Sequence, residues 1–125
     1  MTGDPGPAID VDQLVSYAVD AWVEDISILT DEARLVDLLR DAATAGNATI
    51  LAEATHIFPN GAVTAALVLS QSHLTIHTWP EHSLANIDLL SYGILNGTVI
   101  VEHIEKGLGA SRINMSRLIR HVEPA

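Results

Sequence analysis

Ser72 to Trp79 alternates without a break. Leu74 and Ile76 fall on one side, and His73, Thr75, His77 and Trp79 on the other. A period of two with β-branched members calls for an extended strand with one apolar face. That face can lie under a layer of helices. The other has to meet water, a partner subunit or a substrate. Pro80 ends the strand, because it has no N–H to give to a ladder. Ala85 to Tyr92 alternates again, with Ala85, Ile87 and Leu89 opposed to Asn86, Asp88 and Tyr92. The stretch from Ser70 to Gly93 also holds Glu81 and three of the six histidines, His73, His77 and His82. Two such strands side by side would make a sheet face lined by imidazole, carboxylate and phenol.

The rest of the chain supplies layers for that sheet. Within Leu14 to Leu29, Val15, Tyr17, Val19, Ala21 and Val23 alternate with mostly polar residues, which predicts a first strand. Thr30 is placed to cap a helix, with Asp31 and Glu32 in its first turn, where negative charge suits the dipole. Leu35, Leu38, Leu39 and Ala42 recur at helical spacing, and Gly46 stops the helix. Ala48 to His56 and Ala62 to Ser70 are expected strands on either side of a turn at Phe58-Pro59-Asn60-Gly61. Because the next strand begins at Ser72, the break near Gln71 must be sharp. Asn96 can cap a second helix with an apolar stripe of Ile100, Val101, Ile104 and Leu108, closed by Gly109. Arg112 to His121 reads as a last strand. Strands before and between two helices predict an α+β fold, a two-layer α/β sandwich with an antiparallel sheet and both helices on one face. Residues 1–8 are rich in Gly and Pro and are expected to be disordered. Residues 9–125 are then a single domain, as a length of 125 suggests.

Charge and composition narrow the function. A net charge of -10 disfavours phosphate backbones, so nucleic acid is not expected, and it favours a cationic small molecule. With no cysteine, disulfides, thiolate metal sites and cysteine nucleophiles are excluded. No metal is expected from the histidines either. His73 and His77 share a strand face but lie about 13 Å apart, too far for one ion. No uncharged apolar run approaches the roughly 18 residues of a membrane span. The N-terminal segment carries acids and no basic residue, unlike a signal peptide. The expectation is a cytoplasmic protein with no membrane partner, of a size that gains from oligomerisation. Lys106, Arg112, Arg117 and Arg120 crowd the last quarter and read as a solvated strand.

The run SHLTIHTWPE, Ser72 to Glu81, resembles the signature of the prokaryotic S-adenosylmethionine decarboxylase proenzymes. The resemblance is nearly gapless from His56 to Gly93. It stays in register from about Val15 through the first helix and is architectural after Gly93. It implies a homodimer and a cofactor made from the chain itself. In that family a serine hydroxyl attacks the preceding backbone carbonyl, and the ester is cleaved by β-elimination. The serine becomes a pyruvoyl group, which forms a Schiff base with the substrate amine and draws electrons as carbon dioxide leaves. Carried over, Ser72 is the pyruvoyl precursor and Gln71 the residue before the cleavage, where the family usually has glutamate. His77 falls on the histidine that promotes processing, and Thr64 on a hydroxyl residue associated with the same serine. Phe58 falls on an aromatic that stacks on adenine, and Glu81 on a carboxylate that binds the ribose hydroxyls. Tyr92 stands where the family has a cysteine that reprotonates the decarboxylated carbon.

Taken singly, these residues have plainer readings. Ser72 is an ordinary strand-end serine and His77 a structural histidine. Phe58 serves equally as core, Glu81 as an exposed acid, and Tyr92 as a pocket wall or a proton donor. Together they imply a self-processing decarboxylase of S-adenosylmethionine that supplies the aminopropyl donor for spermidine and other polyamines. Tyr92 keeps open a pyruvoyl-dependent decarboxylase of ornithine or arginine. Gln71 and Tyr92 together keep open an unprocessed homologue that binds a nucleoside or regulates a partner.

Overall fold

The computed structural model describes residues 13–92 and 96–122. Residues 1–8, the expected disordered segment, lie outside them. Along the chain come β1 (Leu14–Val23), a 3-10 turn (Ile26–Thr30), α1 (Glu32–Ala45), β2 (Ile50–Ile57), β3 (Val63–Leu69) and β4 (Ser72–Trp79). A second 3-10 turn (Pro80–His82), β5 (Leu84–Ser91), α2 (Gly97–Leu108) and β6 (Ala110–Arg120) follow. The strands form one six-stranded sheet in the order β2-β3-β4-β5-β1-β6, and every neighbouring pair is antiparallel. The expected sandwich is therefore the observed fold.

Alternation decides which residues the helices cover. Val15, Tyr17, Val19, Ala21 and Val23 of β1 are buried, as are Leu74, Ile76 and Thr78 of β4 and Ala85, Ile87 and Leu89 of β5. They meet Leu35, Leu39 and Ala42 of α1 and Ile100, Val101, Ile104 and Leu108 of α2 in one core. Each fully buried Leu or Ile contributes roughly 1.5–3 kcal/mol of apolar burial. Two glycines let the helices come close. A methyl group at Gly107 would strike Leu38 of α1, and one at Gly97 would strike the Tyr17 ring. No helix among the described residues is long and apolar enough to cross a membrane.

The helix caps differ from expectation at one end. Asp31, not Thr30, caps α1, its carboxylate accepting the Arg34 N–H at 3.2 Å. Thr30 instead ends the 3-10 turn, which folds back to bury Ile28 and Leu29. Asn96 caps α2 as expected, and Gly109 ends it in the left-handed region, at φ 64°. The edge strand β2 is exposed along nearly its whole length. It is tied to α1 by the Arg40 guanidinium, which forks onto Glu53 at 2.8 and 2.7 Å, and by Thr55, whose hydroxyl donates to Glu32 at 2.7 Å.

Thr78 is a polar exception inside the core. Its hydroxyl donates to the Leu29 carbonyl at 2.7 Å and accepts the Val63 N–H at 2.8 Å. It thus joins the 3-10 turn to the β3–β4 pair, with no exposed surface. Thr78→Val keeps the shape and strands both partners. Urea unfolding should show a loss of about 1–3 kcal/mol, whereas Arg40→Ala, which breaks an exposed pair, should cost less than about 1 kcal/mol.

Candidate active site

The uncovered face of the sheet holds the reactive side chains, because β4 and β5 present their second parity there. Register brings six of them into one row. His56 pairs with Thr64, Thr64 with His77, His77 with Asn86, Asn86 with Asp20, and Asp20 with Asn114, one residue from each strand. The Thr64 hydroxyl lies 2.6 Å from His77 Nδ1. Around this pair the rings of His56, Phe58, His77 and Trp79 meet edge to face in succession, with centroids 4.6, 5.5 and 4.5 Å apart. Phe58 and Trp79 keep 37% and 40% of their surface exposed, so a flat ligand can reach an aromatic face. Glu81, in the turn after β4, accepts a long contact of 3.4 Å from the Asn60 amide. Thr64, His77, Phe58 and Glu81 therefore form one neighbourhood on β2, β3, β4 and their loops.

Ser72 belongs to a second neighbourhood. Ser70 and Gln71 make a two-residue turn between β3 and β4, and Leu69 pairs with Ser72 across its base. The positive φ falls on Ser72, at 150°, rather than on either turn residue. An L-residue held there stores about 1–3 kcal/mol of strain. The Ser72 hydroxyl is buried and has no hydrogen-bond partner. Such an orphan costs about 1–3 kcal/mol and leaves the oxygen lone pairs unengaged. An open pocket of about 410 Å³ adjoins it, lined by Leu14, Gln71, Ser72, His73, Leu90, Tyr92 and Val122. Tyr92 thus stands at the same pocket as Ser72.

The two neighbourhoods do not touch within one chain. Ser72 and His77 are five residues apart on a single strand, about 16 Å along its axis. The sequence names both groups of residues but not their separation. No sequence motif marks Asn60, Asn86 or Asp20; only register and loop geometry bring them to His77 and Glu81.

The backbone at Ser72 can be tested without any activity. Ser72→Gly removes the Cβ that makes φ 150° costly, and Ser72→Ala keeps it. Thermal or urea unfolding should find the glycine variant more stable by roughly 1 kcal/mol, the reverse of the usual order within a strand.

Comparison with known proteins bears on this arrangement. The sequence model of a family described as S-adenosylmethionine decarboxylase matches residues 15–121. A protein from Geobacillus sp. (strain WCH70), named S-adenosylmethionine decarboxylase proenzyme, is 35% identical over 105 residues, 84% of this chain and 85% of its own length. A protein of the same name from Pyrobaculum arsenaticum is 40% identical over 70 residues, covering 55% of this chain and 56% of that protein. The crystal structure of the adenosylmethionine decarboxylase from Aquifex aeolicus superposes with a TM-score of 0.82 at 24% identity, over 90% of this chain and 94% of that one. That likeness is one of fold.

Proposed function

The chain belongs to the S-adenosylmethionine decarboxylase family, and from that membership we propose that it is a self-processing, pyruvoyl-dependent S-adenosylmethionine decarboxylase serving polyamine synthesis. The observation that carries this reading is Ser72, a buried, unpartnered hydroxyl on a strained backbone directly after a tight turn.

The residues fit a group made in place. The Ser72 oxygen would attack the Gln71 carbonyl carbon, an ester would replace the amide, and elimination would break the Ser72 Cβ–O bond. That leaves Gln71 as a carboxylate and residue 72 as a dehydroalanine, whose imine tautomer takes up water and releases ammonia to give the pyruvoyl carbonyl. Cleavage opens the two-residue turn and relieves the strain at Ser72. The halves remain joined, because β3 and β4 stay paired along their length. The pyruvoyl group would supply an electrophilic carbonyl that withdraws electrons while carbon dioxide departs. Gln71, His73, Leu90 and Tyr92 wall the pocket in which a substrate would meet it. Tyr92, at that wall, is the proposed proton donor to the decarboxylated carbon. Phe58 offers a face to adenine, and Glu81 offers two oxygens to a ribose diol.

A single chain cannot bring His77 to its own Ser72 across about 16 Å of strand. A homodimer packed through the uncovered sheet faces could set the Thr64–His77 pair of one copy over the Ser72 pocket of the other. Two-fold symmetry would complete two equal sites. His77, with Thr64 on Nδ1, would then move protons during the acyl shift and elimination.

Intact mass tests the processing. Wild-type protein should yield two chains, one ending at Gln71 and one starting with a blocked residue 72, and Ser72→Ala should stay whole. Shared sites make a further demand. Ser72→Ala and His77→Ala should each be inactive alone, while co-expressed they should regain up to one working site per mixed dimer. No recovery would count against sharing.

Tyr92 also favours a second reading, in which the same group decarboxylates ornithine or arginine, because a phenol at the pocket wall reshapes the space beside Ser72. Turnover assays with the three substrates separate the two. Tyr92→Phe should leave self-cleavage intact and lower decarboxylation by roughly 10²-fold or more, as loss of a general acid requires. Unchanged turnover would make Tyr92 a wall.

A further inference from the structure

We infer that Asn86 and Asp20 are positioning residues for His77, acting through the Trp79 indole. The inference rests on the reading that His77 promotes processing of Ser72. Trp79 stands edge to face against His77, with ring centroids 4.5 Å apart and planes inclined by 68°. Phe58 meets the other ring contact of His77 at 5.5 Å, and Thr64 takes Nδ1 at 2.6 Å. Those three neighbours define how the imidazole lies, and Trp79 is the most exposed of them. Packing alone does not hold a surface indole in one rotamer. Its Nε1–H donates to Asn86 Oδ1 at 2.6 Å, across the β4–β5 pair.

An asparagine amide can turn over and offer its nitrogen where the oxygen was, which would repel the indole N–H. Asp20 prevents this. The Asn86 nitrogen donates to Asp20 Oδ1 at 2.8 Å, and a carboxylate accepts only. With its nitrogen committed to Asp20, Asn86 must present its oxygen to Trp79. Asn114 of β6 donates to the other carboxylate oxygen of Asp20 at 3.4 Å. The hydrogen bonds thus converge on Asp20, from Trp79 through Asn86 on one side and from Asn114 on the other, and the Trp79 end stands against His77.

The test follows the His77 ring and the self-cleavage separately. The His77 Cε1 proton is assigned by comparison with His77→Gln and lies in the ring current of the indole. In Asn86→Ala this resonance should move toward the position of a free histidine, and self-cleavage after cell-free synthesis should slow roughly five- to tenfold. Asn86→Asp keeps an acceptor for Trp79 but sets a carboxylate against Asp20, and it should be slowed at least as much. The exchange D20N/N86D restores a donor–acceptor match between the two positions, with the donor now at position 20 and an acceptor still facing Trp79. It should return both the resonance and the rate to within about threefold of wild type. Trp79→Phe, which keeps a ring and deletes the N–H, gives a second reading of rate should Asn86→Ala fail to fold. An unmoved His77 resonance in Asn86→Ala, or a moved resonance with an unchanged rate, overturns the inference, as does an unchanged rate in Trp79→Phe. If the wild-type chain never cleaves, the processing role itself fails, while the resonance still reports whether Asn86 holds the ring.

Discussion

The antiparallel pairing of β3 with β4 is the interaction on which the other features rest. One register sets Thr64 opposite His77 and leaves Ser70 and Gln71 as the turn, with Ser72 at its base. A slip by one residue would turn His77 and Thr75 into the core and bring Leu74 and Ile76 to the open face. It would also move the turn away from the Gln71–Ser72 bond. The same ladder would hold the two halves together after a cut. Thr78 locks this pair to Leu29 of the 3-10 turn, so the register is secured by a core hydrogen bond as well as by the ladder.

The sheet has two unlike faces, and the division between them explains the chemistry. One is covered by both helices and is apolar apart from Thr78 and Ser91 among fully buried residues. The other mixes a polar row with apolar side chains such as Val68 and Leu118, which are 49% and 60% exposed. Such a face carries two separate groups of candidate residues, one at Ser72 and one at His77. Ser72 has an unpartnered hydroxyl at a pocket that His73 and Tyr92 also line. His77, with its ring neighbours and Thr64, stands about 16 Å from Ser72 along the same strand.

Much was legible from local pattern. Leu35, Leu38, Leu39 and Ala42 defined α1, and Asn96 with Gly109 bounded α2, because caps and helical spacing act within a few residues. Both ends of β4 are legible, since strict alternation starts at Ser72 and Pro80 cannot continue it. Thr30 is a good capping residue by sequence. Burial of Ile28 and Leu29 drew Thr30 into the preceding turn and passed the role to Asp31. The strand from Leu14 stopped at Val23 rather than Leu29 for the same reason. At the site, the side chains named by the motif were legible, but the Asp20–Asn86–Trp79 connection was not. Its members are 66 and 7 residues apart in sequence and meet only across strands.

The sequence by itself determined the faces of the strands, the limits of the helices, and the set of reactive groups around Ser72 and His77. These follow from the period of a strand, the period of a helix and the chemistry of single side chains, all of which are local. The tertiary structure alone decided the strand order β2-β3-β4-β5-β1-β6, which places β1 between β5 and β6 and so brings Asp20 beside Asn86. It alone decided that Ser72 takes the strained backbone of the turn and that Ser72 and His77 stand apart. Strand order and register are set by how the whole apolar face packs under two helices, and no short stretch of sequence contains that sum.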